Sequence, residues 1–211
     1  MKAQDVFVQF EERDSSQALH TLGGSSSYMY TITDLKKILS YCKSMMGKPM
    51  LDSFIILQHN PVLELRAGSR NSISKAELTA IILDSLMQRY DLHYIVSLTE
   101  TIDVIRVISV SQKIRYTQNS GTNIDTEGFL TLDNMDFCYF STFFKTNGLI
   151  LTTSDEDIRI RGLTFAIPNK LVGTMAENRD EIIRLLDENG IHTEIIKEPV
   201  VYLTDEARSK N

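Results

Sequence analysis

The stretch Phe54-Ile55-Ile56-Leu57-Gln58-His59-Asn60-Pro61-Val62-Leu63-Glu64-Leu65-Arg66 decides how the first half of this chain is read. Two short runs of strand-forming residues flank Asn60-Pro61. Such a pair initiates a turn, because proline fixes its own φ and keeps its predecessor out of helical backbone. The stretch therefore predicts a hairpin.

Helical signals stand on both sides of it. Before it, Leu35, Ile38, Leu39, Cys42 and Met45 recur on one face of a 3.6-residue period. Thr33 is the expected N-cap, Lys36, Lys37, Lys43 and Ser44 face water, and Gly47-Lys48-Pro49 stops the helix. After it, Ser74 and Glu77 have the spacing of a capping box, and Leu78, Ile81, Ile82, Leu86 and Tyr90 form the apolar stripe.

Further out, Val6, Val8 and Phe10 alternate as in a half-buried strand. Residues 12–31 are polar and contain Gly23-Gly24-Ser25-Ser26-Ser27, which reads as a flexible surface loop. Tyr94-Ile95-Val96 and Ile102–Val110 read as two strands joined across Thr99-Glu100-Thr101. The resulting order, β-α-β-β-α-β, is that of a ferredoxin-like lobe over residues 1–110.

Residues 111–135 are polar and read as a connector to a second lobe, 136–211. There, Phe137–Phe144 and Leu149–Thr152 flank Asn147-Gly148, the pair that suits the positive φ angles of a tight hairpin. Ile158-Arg159-Ile160-Arg161 alternates, placing both arginines on one side of a strand. Thr174 and Glu177 match a second capping box before Ile182, Leu185 and Leu186, with Asn189-Gly190 as the stop. Ile191–Ile196 and Val200–Leu203 read as two closing strands around Pro199. The expected class is α+β, with antiparallel sheets and three helices. The order of elements in this C-terminal part is loosely similar to the double-wing DNA-binding domain of T-even phage transcription activators, a similarity of order that carries no residue motif.

Composition narrows the function classes. Apolar residues make up 42% and charged residues 24% of 211, enough to bury a core without cross-links. The two cysteines, Cys42 and Cys138, form no metal or redox motif and read as reduced thiols. Nothing in the chain has the length of a membrane span, roughly 18 apolar residues, and Met1–Asp5 lacks a signal-peptide pattern, so a cytoplasmic protein is expected. Abundant Ile, scarce Ala and absent Trp suggest an AT-rich source such as a phage, and then a host cytoplasm. The net charge of −6 argues against a broad nucleic-acid surface.

The chemistry-bearing patterns are few. His20, His59, His93 and His192 show no convergent spacing, and the glycine-rich phosphate loops and the GxSxG elbow are missing. The carboxylate clusters at Glu11-Glu12-Arg13-Asp14 and Asp155-Glu156-Asp157 read as solvated turns. No catalytic, cofactor or metal residue is therefore assigned. Val62–Arg66 lacks the aromatics of an RNA-binding sheet. Two candidate surfaces remain: Arg159 and Arg161 for phosphates, and Tyr139, Phe140, Phe143 and Phe144 as core or subunit interface. The expectation is a non-enzymatic assembly or protein-interaction subunit with a protein partner or a like copy. A nucleic-acid-binding regulator using Arg159 and Arg161, and a small enzyme with a dispersed site, are the alternatives.

Overall fold

The inward positions Leu63, Leu65 and Ala67 of Val62–Ser69 carry apolar, fully buried side chains, which suits a strand in the middle of a sheet with one covered face. The computed structural model describes residues 6–14, 16, 19–25, 28–46, 50–71, 73–111, 121–124, 128–153 and 162–206, with backbone alone at 19–25 and 121–124. In it Val62–Ser69, strand β5, lies between β1 (Val6–Arg13) and β3 (Tyr28–Asp34), and β2 (Leu19–Ser25) completes an antiparallel sheet in the order β1-β5-β3-β2.

Helices α1 (Leu35–Met45) and α2 (Lys75–Arg89) cover one face of this sheet. Leu35, Ile38, Leu39 and Cys42 of α1 meet Leu78, Ile82 and Leu86 of α2 over Met29, Leu63, Leu65 and Ala67. The capping box on α2 is formed: Glu77 N donates to Ser74 Oγ at 3.1 Å and Ser74 N to Glu77 Oε2 at 2.7 Å. On α1 the cap falls one residue after Thr33, where Asp34 Oδ1 accepts from Lys37 N at 2.9 Å. Ser44, expected at the surface, is buried and returns its hydroxyl to Ser40 O at 3.0 Å.

The chain divides into two compact units. The first is Met1–Met46, Met50–Glu100 and Pro199–Asn211; the second is Gly47–Pro49 and Thr101–Glu198. In the first, β4 (Ile55–Ile56) pairs in parallel with Leu203–Thr204 of β11 (Ile191–Thr204), a strand that neighbours β6 (His93–Val110). In the second, β9 (Leu151–Thr153) pairs in parallel with Ile105–Val107 of β6. There also β7 (Gly121–Ile124), β8 (Phe129–Met135) and β10 (Leu163–Pro168) form an antiparallel sheet in the order β10-β8-β7. Helices α3 (Phe137–Thr146) and α4 (Arg179–Glu188) supply the rest of its core.

The protein is mixed α+β with antiparallel sheets, and several elements differ from the sequence reading. Ile55–Ile56 and Val62–Ser69 do not form a hairpin; Asn60-Pro61 passes the chain from one sheet to another. Part of the expected loop at 12–31 is strand, because Tyr28–Asp34 alternates Met29, Thr31 and Thr33 inward, and Gly23 and Gly24 pair with Tyr30 and Met29. Three strands thus precede α1, and β6 joins a different sheet from β1, so the ferredoxin-like order is not the one observed. Thr99-Glu100-Thr101 contains no breaker, and β6 runs unbroken through it. β11 likewise runs through Pro199. The expected connector at 111–135 carries β7 and β8.

Four α-helices, not three, are present among the described residues. The additional one is α3, read from sequence as a strand. Phe137, Phe140, Ser141 and Phe144 are buried at the i, i+3, i+4, i+7 spacing of a helix, and that period overrides the strand preference of phenylalanine. Asn147-Gly148 ends α3 instead of turning a hairpin. Gly148, at φ +82°, donates to Lys145 O, and Leu149 N donates to Phe144 O, both at 3.0 Å. This is a Schellman cap with Leu149 packed in the same core as Phe144. The Thr174/Glu177 box does not form: α4 begins at Arg179, and Asn178 Nδ2 donates back to Thr174 O at 2.8 Å.

Candidate functional site

Because α1 and α2 cover one face of the β1-β5-β3-β2 sheet, alternate residues must stand on the other. β1 presents Phe7, Gln9, Glu11 and Arg13 there, β5 presents Glu64, Arg66 and Gly68, and β3 presents Tyr28, Tyr30 and Ile32. The register aligns them in rows: Phe7, Gly68 and Tyr28; Gln9, Arg66 and Tyr30; Glu11, Glu64 and Ile32.

Glu64 is the anchor of this face. It is only 7% exposed, yet it has no apolar escape and is instead gripped from both sides. Arg13 donates to Oε2 through Nε at 2.9 Å and Nη2 at 2.6 Å, and Arg66 donates to Oε1 through Nε at 2.8 Å and through Nη2. These hydrogen bonds, Arg13's first, hold the Glu64 carboxyl below the usual carboxylate range. Glu11 also pairs with Arg13, at 2.9 Å, and the Arg66 guanidinium lies 5.6 Å from the Tyr30 ring centre. Two arginines and two glutamates leave the face neutral. A polar depression of about 470 Å³ opens there between Gln9, Phe10, Glu11, Arg13, Glu64 and Arg66.

A second surface lies on β6. From Tyr94 to Thr101 the side chains on both faces of the strand reach solvent, with Ser97 alone half-buried. Exposure is 38% at Tyr94, 44% at Ile95, 54% at Val96 and 98% at Leu98. A half-buried strand exposes alternate residues; this one exposes consecutive ones. Among the described residues, β9 pairs with β6 only at Ile105–Val107, and no strand is paired on that side of residues 93–104.

The residues singled out from sequence are dispersed. Arg159 and Arg161 lie outside the described residues, as does Asp155-Glu156-Asp157. Phe140 and Phe144 are fully buried in the second unit, with ring centres 4.9 Å apart and both against Phe165; Phe143 is half-buried, and Tyr139 is exposed on α3. Of the Glu11–Asp14 cluster, Glu11 pairs with Arg13 and Glu12 accepts from Tyr90 OH at 3.1 Å. No group of three or more metal-ligating side chains converges among the described residues. Burial pushes the Cys42 thiol up to about 12, which makes it inert. No helix among the described residues is long and apolar enough to cross a membrane.

Sequence reasoning missed both surfaces. The β6 run was legible as strand, but its exposure was not. The Arg13, Glu64 and Arg66 cluster needed the register of β1 on β5. In comparisons with known proteins, the chain matches no family model, no curated protein and no solved structure.

Proposed function

We propose that this chain is an assembly subunit that associates with a second copy of itself through β6. The observation that carries the reading is the Tyr94–Leu98 run, apolar on both faces and beside a strand edge with no partner among the described residues. Burying one large aliphatic side chain is worth about 1.5–3 kcal/mol, so leaving several in water is a standing cost that an interface recovers. Natural edge strands are guarded by lysine, proline or short length. Residues 93–104 contain no lysine and no proline.

A second copy suits this edge for a general reason. The alternating N–H and C=O groups of a strand edge are complementary to themselves under a two-fold rotation, the commonest symmetry of like subunits. An antiparallel pairing centred on Leu98 sets Asp103 opposite His93 and Glu100 opposite Val96, so the acidic side chains of two copies do not face each other.

Light scattering coupled to size-exclusion chromatography tests this across a concentration series. The expected result is a concentration-dependent dimer that Leu98→Lys converts to monomer while the melting temperature holds, since the Leu98 side chain is almost fully exposed among the described residues. A monomer at every concentration, or a dimer indifferent to Leu98→Lys and Val96→Lys, would remove the basis for the reading.

The outer face of the β1-β5-β3-β2 sheet supports a second reading, contact with a different protein. Tyrosine and arginine dominate interface energetics, and Arg13 and Arg66 are already held in place by Glu64. The neutral charge of the face fits a protein better than a polyphosphate.

A further inference from the structure

The second unit carries a hydrogen-bonded chain of three side chains separate from both surfaces. Asp187 lies in the last turn of α4, His192 is the second residue of β11, and Ser111 directly follows β6. Asp187 Oδ1 is 2.5 Å from His192 Nδ1, and His192 Nε2 is 3.1 Å from Ser111 Oγ.

The proton positions follow from the chemistry of the partners. A carboxylate only accepts, so Nδ1 carries the imidazole proton. Nε2 then presents its lone pair to the Ser111 hydroxyl, which meets it at 3.1 Å and the competing acceptor Gly190 O at 3.4 Å. The order is nucleophile, base and orienting carboxylate, which activates a serine on unrelated folds. The other two histidines whose side chains are described have no such arrangement: His59 meets Glu12 Oε2 at 3.8 Å, and His93 Nδ1 meets Asp91 O at 3.4 Å. The backbone fixes the nucleophile as well. Ser111 N donates to Gly190 O at 2.8 Å, and Gly190 follows α4 at φ +73°, so helix end, turn and strand end are tied at one point.

We propose that Ser111, His192 and Asp187 form a nucleophilic serine site that takes acyl groups from activated carboxylic esters. Ser111 Oγ bonds to the carbonyl carbon as its proton passes to His192 Nε2. The tetrahedral adduct collapses by breaking the bond to the leaving aryl oxide, which departs with that proton. Water, deprotonated by the same imidazole, then adds to the acyl carbonyl, and the bond to Ser111 Oγ breaks as the imidazolium returns the proton to that oxygen, releasing the free acid. No electron donor or acceptor enters.

The same geometry restricts the substrate. The Ser111 amide is committed to Gly190 and so is withheld from an oxyanion, and losing one such donor costs about 10²–10³ in rate. Asp187 and His192 are 66% and 40% exposed, so water weakens the relay. Electrophiles with good leaving groups are therefore within reach, and peptide bonds are not.

A fluorophosphonate probe on the full chain, with peptide mapping by mass spectrometry, tests this. The expected label falls on Ser111, is lost in Ser111→Ala, and forms roughly a hundredfold or more slowly in His192→Gln, the low end for a general base. Circular dichroism checks that each variant folds. Should His192→Gln fail to fold, Asp187→Asn replaces an exposed side chain and is expected to slow labelling likewise. An unlabelled Ser111, or a rate unchanged in the folded variants, overturns the proposal. Its outcome is independent of self-association, which these variants leave in place.

Discussion

Arg13 donates two hydrogen bonds to one oxygen of Glu64, at 2.9 and 2.6 Å, across fifty-one positions of sequence. The contact fixes the register of β1 on β5 at the solvent face, where apolar packing does not.

The first prediction is a pH dependence. The folded Glu64 carboxyl titrates below its unfolded value of about 4.3, because Arg13 and Arg66 favour the charged form. The pair's contribution is thus present above about pH 4.3 and is lost as pH falls through the lower folded value. Urea unfolding at pH 6 and pH 3 should show a smaller loss in Glu64→Gln than in the unmodified chain. An equal loss would dissociate Glu64 from acid sensitivity.

Gly148 supplies the second. A side chain there would sit at φ +82°, and its Cβ would lie 3.1 Å from Ala176 Cβ. The conformation alone costs about 1–2 kcal/mol for an ordinary residue, and the contact adds to it. Gly148→Ala should lower stability by that amount or more, whereas Gly173→Ala, with open space around it, should show the backbone cost alone. Equal denaturation midpoints for the two would contradict the close approach.

The third concerns the aromatic helix. Phe144→Ala removes a fully buried ring beside Phe140 and Phe165 and should cost about 3–5 kcal/mol. Tyr139→Ala, on the exposed side of α3, should stay within about 0.5 kcal/mol. Chemical denaturation followed by near-ultraviolet circular dichroism compares them directly. Similar losses would mean that Tyr139 is as well packed as Phe144.

What could be read in advance was whatever lay within one element. The stripes of α1 and α2 and the Ser74/Glu77 box need only residues a few positions apart, and they are formed, except that Leu83 and not Ile81 joins the core from α2. Partner choice was illegible. Ile55–Ile56 and Val62–Ser69 are both strands, but nothing local says that the first pairs with Leu203–Thr204, nearly 150 positions away. The same limit hid the candidate sites. Glu64 gains its meaning from Arg13, and His192 from Ser111, and neither pairing has a spacing that a motif can encode. Phe137–Thr146 failed for a different reason: a helix and a strand both accommodate so many aromatics, and burial of Ser141 beside Phe140 is what distinguishes them.

The first unit takes its last pieces from Pro199–Asn211. Leu203 is fully buried in its core, and Asp205 accepts from the backbone of Gln58 at 2.7 Å and His59 at 3.2 Å. During synthesis, the ribosome delivers β1, both helices and β5 long before these residues exist. The emerging chain must therefore hold an incomplete core until the whole of the second unit has been made.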